Sequence, residues 1–218
     1  MKMSMEIVSI TGKLEIVTGL HIGAGNAEIH IGGIDSAVIK NPLDGYPYIP
    51  GSSLKGKIRS LLELTEGIVT DGNISNRKNT ESLIPVVFGD TSQQGMSQVI
   101  FRDCFLSKES KQKLQERNIL ATEEKSENHI DRITGVASDP RNIERVIPGM
   151  IFDFEMNLRI TDSAKREKIL QLIKNGLYLL EHDALGGSGS RGYGKVKFSG
   201  LKCDGTDFPV EYDAHEVL

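Results

Sequence analysis

Five glycines fall within the nine residues from Gly186 to Gly194, and glycine lets a main chain adopt positive φ angles without steric cost. A chain of this kind exposes successive N–H groups, which suit an anion, and Arg191 and Lys195 add positive charge. We call residues 186–195 the glycine loop. Two phosphate-binding patterns almost fit it, but both require a strand before the glycines and a helix after them.

The order of elements around the glycine loop is the reverse of that requirement. Residues 162–181 have helical periodicity, and residues 195–201 alternate like a strand. We therefore reject a mononucleotide or dinucleotide site. Two interpretations stay open for a helix–glycine loop–strand unit: a surface that lies along a polyanion, and a flexible turn.

Composition sets wider limits on the class of protein. The chain has 218 residues, 38% of them hydrophobic and 26% charged, which is ordinary for a globular protein. No apolar run approaches the ~20 residues of a membrane span, and the N-terminus does not resemble a signal peptide, so we expect a cytoplasmic protein with no membrane partner. Cys104 and Cys203 are predicted to be buried free thiols, and a disulfide between them stays open as the alternative. The net charge of −4 argues only mildly against nucleic acid, because binding needs a local basic surface.

Hydrophobic periodicity predicts an α+β fold. Strands are expected over residues 6–17, 98–106, 149–160 and 195–201, and helices over residues 50–62 and 162–181. Without two polar insertions, at 66–95 and 108–148, the order is β–α–β–β–α–β, which is a ferredoxin-like (RRM-like) core in a single domain, residues 1–218.

Three local features refine that prediction. The first insertion is expected to be irregular, whereas the second is expected to hold a short helix over 107–117 and an exposed arm or hairpin over 128–145. A short strand is predicted over 36–40. Gly176 costs the second core helix about 1 kcal/mol relative to alanine, so close packing should explain it.

The start of the first helix is a second candidate anion site. Ser52 or Ser53 is a fair N-cap, and Lys55 and Arg59 lie four residues apart on one face. Free N–H groups at a helix start favour an anion, and the alternative is a solvated basic face, which we prefer for Lys57.

Four features together closely resemble the repeat-associated RAMP superfamily of CRISPR systems, in particular the repeating backbone subunit of the type III-A (Csm) effector. They are His21-x-Gly23-x-Gly25, Gly33-Ile34-Asp35, Pro50-Gly51-Ser52-Ser53-Leu54-Lys55-Gly56-x-x-Arg59 and the glycine loop. The resemblance covers nearly the whole chain. It implies copies of the chain stacked as a filament along one guide RNA, beside other subunits of the Csm complex, with the arm acting as a thumb between bases.

The resemblance also implies roles for individual residues. Asp35 would support cleavage of a target RNA with a divalent metal, for which we expect Mg²⁺, and would be its protein ligand. The residues expected to bind RNA are His21, Ser52, Ser53, Lys55, Arg59, Gly187, Gly189, Ser190, Arg191, Gly192 and Lys195. From its sequence context alone, His21 is a lone imidazole for which a structural role is favoured over a chemical one.

Elementary chemistry is compatible with this division of roles, and two alternatives remain open. RNA carries its own nucleophile, the 2′-hydroxyl, so a cleaving site needs in-line geometry, proton removal and charge neutralisation. The first alternative is a non-catalytic structural RNA-binding subunit of the same kind of complex. The second is a guide-processing endonuclease, which needs an acid–base pair that only His21 and His30 are near enough in sequence to form.

Overall fold

The structure is a computed structural model that describes residues 5–25, 36–69, 82–90 and 96–213. Its strands are β1 (Glu6–Ile16), β2 (Tyr48–Ile49), β3 (Val99–Phe101), β4 (Cys104–Phe105), β5 (Thr122–Ile130), β6 (Ala137–Val146), β7 (Ile151–Ile160), β8 (Val196–Cys203) and β9 (Thr206–Asp207). Its α-helices are α1 (Gly51–Thr65), α2 (Ile84–Phe88), α3 (Lys108–Arg117) and α4 (Arg166–His182). In these ranges no helix is long and apolar enough to cross a membrane.

The main sheet has five strands in the order β3-β7-β1-β8-β9, and every neighbouring pair is antiparallel. The predicted alternation of β7 is observed, because Phe152, Phe154 and Met156 are buried while Asp153 and Glu155 between them are exposed. The α+β class predicted from the sequence is confirmed by this mixture of helices and sheet.

Helices α1 and α4 pack against each other through their apolar stripes. Ile58 and Leu62 of α1 are buried, as are Leu177 and Leu180 of α4. A Cβ added to Gly176 would lie 2.6 Å from Cγ2 of Ile58, so only glycine permits this distance between the two helices. The expectation that packing explains Gly176 is confirmed.

A bend in β1 lets β8 pair along most of its length. The register between the two strands shifts between Thr11 and Lys13, where Gly12 lies. A Cβ on Gly12 would lie 2.5 Å from Cδ2 of Leu201, so the missing side chain gives β8 its room.

The predicted strand over residues 36–40 is wrong. Ser36, Val38 and Lys40 each form a single bridge, and their partners are Ile143, Gly23 and Pro47 respectively. Because each bridge leads to a different segment, no continuous ladder can form. This segment instead links the end of the β5–β6 hairpin to the turn that contains His21.

The two insertions contain more regular structure than their composition predicts. Helix α2 lies within 66–95 and buries Ile84, Val87 and Phe88, so that part of the insertion is not irregular. Residues 70–81 and 91–95 lie outside the described residues. The predicted helix in the second insertion is α3, and the predicted arm is the antiparallel β5–β6 hairpin. Both cysteines are free, as predicted.

Candidate nucleic-acid interface

Two glycines of the glycine loop make it fit closely against the core. Gly186 and Gly194 have φ angles of 75°, and a Cβ on either one would collide with a main-chain carbonyl, that of His21 or that of Leu185. The N–H of Gly187 also donates to the carbonyl oxygen of His21 at 2.9 Å. These glycines are therefore explained by packing, without any ligand.

The centre of the glycine loop, where Ser190, Arg191 and Gly192 are exposed, presents free donors. Residues 189–191 form a single 3₁₀ turn that follows Ser188 in the left-handed region. Within the described chain, the N–H groups of Ser188, Gly189 and Ser190 have no hydrogen-bond partner. A Cβ on Gly192 would meet nothing within 4 Å. The loop thus offers three successive donors beside an open approach, an arrangement that suits an anion.

The two cations of the glycine loop differ in how they are held. Nε of Arg191 lies 3.3 Å from Oε2 of Glu127, and the arginine side chain is 57% exposed. Lys195 is exposed, and its ammonium has no ion-pair partner in the part of the chain that the structure describes. A ligand can therefore bind Lys195 without breaking an ion pair. To bind the same ligand, Arg191 would have to leave the carboxylate of Glu127.

Tyr193, which sequence reasoning did not select, joins the glycine loop to the hairpin. Its hydroxyl donates to Oε1 of Glu127 at 2.7 Å. Lys125 Nζ and Arg145 Cζ lie 4.6 and 4.9 Å from its ring centroid, which are cation–π distances. Burial and then the bond to Glu127 raise the pKa of Tyr193. The sequence offered only one signal, a tyrosine between two glycines, and nothing in it connects Tyr193 with residues 125–145.

His21 lies under the glycine loop with both ring nitrogens engaged. Nδ1 lies 2.7 Å from the carbonyl oxygen of Glu144, which can only accept, so Nδ1 carries the proton and donates. Nε2, 3.1 Å from Oγ of Ser36, is then the acceptor for the serine hydroxyl. The side chain joins three segments, as expected of the structural role that its sequence context favoured.

Glu144 is a second residue that the sequence did not reveal, because it reads there as part of a polar, exposed arm. It is 4% exposed. Its carboxylate accepts from the N–H of Val38 at 2.9 Å, from Thr122 Oγ1 at 2.6 Å and from Lys40 Nζ. Burial opposes its ionisation, but these hydrogen bonds outweigh burial and lower the pKa of Glu144. The interpretation of this part of the arm as solvent-exposed is wrong.

These contacts fix the chain next to Asp35, although Asp35 and His30 themselves lie outside the described residues. The carbonyl oxygen of Ser36 accepts from the N–H of Glu144 at 3.0 Å, and its hydroxyl meets His21. Ser36, the residue that follows Asp35, is therefore held between His21 and the end of the hairpin.

The start of α1 differs from the prediction. Its N-cap is Pro50, with no side-chain cap, so the assignment of Ser52 or Ser53 as the cap is wrong. The N–H of Gly51 instead donates to Oδ1 of Asp103 at 2.8 Å. The physical reason is the close approach of the segment at Phe101, whose carbonyl leaves no room for a Cβ at residue 51. Ser52 is exposed and Ser53 is half-buried.

The cations of α1 are tied to the fold. Arg59 Nε lies 2.8 Å from Glu63 Oε1, and the two side chains are 14% and 7% exposed. Its Nη1 donates to the carbonyl oxygen of Gly89 at 2.9 Å. Lys55 Nζ donates to Ser97 Oγ at 2.9 Å, and burial, followed by repulsion from Arg59, lowers the pKa of Lys55.

The remaining lysine of the helix is also paired. Lys57 Nζ lies 3.0 Å from Oδ1 of Asp183, at the end of α4. The solvated face preferred for Lys57 is therefore wrong, because an ion pair links α1 to α4 there.

Comparison with known proteins decides the family. The family model of the RAMP superfamily matches residues 13–197. The chain belongs to the RAMP superfamily. It is 44% identical over 207 residues to the CRISPR system Cms endoribonuclease Csm3 of Streptococcus thermophilus, covering 92% of this chain and 91% of that protein. It is 41% identical to the protein of the same name from Enterococcus italicus, covering 88% and 89%.

A solved structure extends the likeness of this RAMP protein to three dimensions. The crystal structure of a Csm3–Csm4 subcomplex in the type III-A CRISPR-Cas interference complex matches with a TM-score of 0.57 and 32% identity. The match covers 93% of this chain and 81% of that one. The resemblance identified in the sequence, to the RAMP superfamily and to a CRISPR endoribonuclease, is confirmed.

Few described residues of this RAMP protein could hold the expected metal. Within the described ranges no three His, Cys, Asp or Glu side chains form a group that could bind an ion. Near Ser36, both carboxylate oxygens of Glu144 and both nitrogens of His21 already have partners. Mg²⁺ commonly binds through one or two carboxylates together with water and substrate phosphates, so Asp35 with RNA oxygens is a donor set compatible with it.

Proposed function

We propose that this chain is the RNA-cleaving backbone subunit of a type III-A CRISPR effector, and that several copies lie along one guide RNA. The observation that carries the proposal is the match over nine-tenths of both chains to an endoribonuclease named Csm3. The match to a Csm3–Csm4 subcomplex supports assembly with other subunits of the Csm complex.

The order of elements supports the finer assignment of the fold. With the two-residue strands β2, β4 and β9, the helices α2 and α3 and the β5–β6 hairpin set aside, the chain runs β1-α1-β3-β7-α4-β8, and the sheet order of these strands is β3-β7-β1-β8. Each βαβ unit thus has one strand of the other unit between its own two, as in a split βαβ arrangement. We propose that this core is ferredoxin-like. The location of the protein in the cytoplasm remains a prediction.

In this proposal the glycine loop binds the guide backbone. Ser188, Gly189 and Ser190 donate from the main chain, while Lys195 and Arg191 neutralise phosphate charge. At α1, the exposed Ser52 and the half-buried Ser53 and Lys55 remain accessible to the guide. Arg59 and His21 contribute by holding the surface in shape.

The chemistry belongs to Asp35, which stands next to the anchored Ser36 in the chain. The 2′-hydroxyl of the target RNA loses its proton and attacks the adjacent phosphorus, while the bond to the 5′-oxygen of the next nucleotide breaks; the products are a 2′,3′-cyclic phosphate and a 5′-hydroxyl that takes up a proton. The carboxylate of Asp35 would hold the divalent cation beside the reacting phosphate. A divalent cation bound there, which we propose to be Mg²⁺, supplies neutralisation of the negative charge that develops on the phosphate. The hairpin anchored by Glu144 and Tyr193 is the thumb that separates the bases.

The alternative of a guide-processing endonuclease is disfavoured by the contacts of His21. A general acid–base pair needs a free ring nitrogen at the reacting atoms, and both nitrogens of His21 are engaged. Incubation of the assembled complex with repeat RNA and with target RNA tests this point. We expect cleavage of the target only.

RNA that co-purifies with the chain tests the proposal more broadly. We expect an RNA of defined length to remain bound through purification with the other subunits, and its sequence to be that of a guide. Purification without RNA, or with RNA of random length and sequence, would contradict the assignment as a guide-bound backbone subunit.

A further inference from the structure

We propose a second RNA contact, a base-stacking site on His182 at the end of α4, in a groove that continues from the glycine loop. The inference rests on the proposed function, because it extends the path of the same RNA. It assigns to this groove one ligand, a single-stranded segment of RNA.

The groove is built from two clefts that share part of their walls. The first, of about 660 Å³, begins at Gly189, Ser190 and Gly192 and reaches Lys195. The second, of about 430 Å³, runs from Lys195 to Lys197 along β8. His182, Asp183 and Lys195 line both clefts. A strand of RNA that leaves the donors of the glycine loop therefore enters a continuous groove, which we call the β8 groove.

The charge that the β8 groove offers to a ligand is positive. Asp183 is balanced by Lys57 at 3.0 Å, and Glu181, whose Oε1 accepts from the N–H of Phe198 at 2.6 Å, leaves one negative charge on the wall against the two lysines of the groove. Lys195 and Lys197 are exposed and have no ion-pair partner among the residues that the structure describes. Two free ammonium groups along one edge match the phosphates of a polynucleotide.

An ordered aromatic platform lies beside those lysines. The ring of His182 stacks on Tyr178 with centroids 4.0 Å apart and planes inclined by 25°. Its Nδ1 lies 2.8 Å from the carbonyl oxygen of Tyr178, to which it donates, so the ring orientation is fixed. Tyr212 supports Tyr178 at 5.2 Å. Aromatic rings beside a positively charged groove are the arrangement by which proteins bind single strands without sequence preference, through stacking of successive bases.

A cycle of two proteins and two RNAs tests the stacking step. The full-length chain and its His182→Ala variant are titrated into a fluorescent single-stranded oligouridine and into an abasic RNA of the same length. We expect the variant to bind the oligouridine at least about five-fold more weakly, and the abasic RNA as tightly as the unaltered chain does. His182→Tyr keeps a ring at this position and should restore the affinity for oligouridine. A thermal melt confirms that each variant is folded.

The electrostatic step has a matched pair of variants on one strand. Lys197→Ala should make the negative slope of log affinity against log salt shallower by about 0.7, the value for one phosphate contact on a single strand. Lys202→Ala, which is exposed on the same strand outside the β8 groove, should leave the slope unchanged.

Specific outcomes would overturn the inference. An equal loss on oligouridine and abasic RNA, or no loss with His182→Ala, would show that no base stacks there. If RNA binding still depended on Arg191 and Lys195, the stacking site would be disproved but the proposed function would stand. If the unaltered chain bound neither RNA, the stacking site and the proposed function would both be contradicted.

Discussion

The start of α1 and the glycine loop look alike in the sequence and differ in the structure. Both combine glycine, serine and basic residues, and both are predicted to bind an anion. At α1 the leading N–H is taken by Asp103 and the arginine by Glu63 and Gly89. In the glycine loop three successive N–H groups and Lys195 are left without partners among the described residues.

The difference teaches that a sequence shows which donors and charges exist but not whether the fold already uses them. Asp103 lies 52 residues from Gly51 in the chain, and Gly89 lies 30 residues from Arg59. No local pattern predicts such partners. In the proposed function, α1 would therefore mainly shape the surface for RNA, whereas the glycine loop would supply most of its binding capacity.

The largest expected effect separates the two kinds of glycine in the loop. Gly194→Ala places a Cβ against the carbonyl of Leu185 at a φ of 75°. Left-handed strain and overpacking together should lower the free energy of unfolding by about 4 kcal/mol. Gly192→Ala is the control, because it has the same kind of φ but open space, and should lose only about 1 kcal/mol. Urea denaturation measures both. Equal losses would show that the packing of Gly194 does not hold the loop.

Arg59→Ala should have the next largest effect. It removes the guanidinium from a nearly buried ion pair with Glu63, which typically lowers the free energy of unfolding by about 3 kcal/mol. Lys57→Ala, in a more exposed pair with Asp183, should cost at most about 1 kcal/mol. An Arg59→Ala protein as stable as the unaltered chain, yet unable to bind RNA, would contradict the distinction between α1 and the glycine loop.

Much of the fold was predictable where the pattern is local. The alternation of β7 and the apolar stripes of α1 and α4 are produced by nearest neighbours along each element, and all three were predicted. The segment at Ser36–Lys40 was not, because its bridges lead to three distant segments. The burial of Glu144 was missed for a similar reason, since its partner Lys40 lies 104 residues away. The site was therefore predictable as motifs, but the contacts that hold those motifs depend on the tertiary fold.

Lys195→Ala tests the difference between α1 and the glycine loop by its effect on RNA binding, not on stability. Its ammonium is exposed and has no ion-pair partner among the described residues, so the free energy of unfolding should not change. The negative slope of log affinity against log salt should become shallower by about 0.7, because one phosphate contact is lost. Fluorescence anisotropy over a salt series measures it. A slope equal to that of the unaltered chain would remove Lys195 from the interface.

The smallest expected effect concerns the joint between the glycine loop and the hairpin. The hydroxyl of Tyr193 is the main cause that lowers the pKa of Glu127, with burial opposing it. A carboxylate with a lowered pKa stabilises the fold above its unfolded pKa, about 4.3, and that contribution is lost as the pH falls through the folded value. Tyr193→Phe should therefore cost about 1 kcal/mol at neutral pH and less in acid. Urea titrations at neutral pH and in acid measure the free energy of unfolding of both proteins. A loss of stability that is independent of pH would contradict the assignment of the Tyr193 hydroxyl as the cause of the lowered pKa of Glu127.

Cleavage of a target RNA by the assembled complex tests the central claim most directly. Complexes that carry Asp35→Ala, or Asp44→Ala as a control in an exposed turn, are compared with the unaltered complex in magnesium. We predict that Asp35→Ala abolishes cleavage while guide binding, assembly and target capture persist, and that Asp44→Ala cleaves normally at regular intervals. Full cleavage by the Asp35→Ala complex would contradict the account.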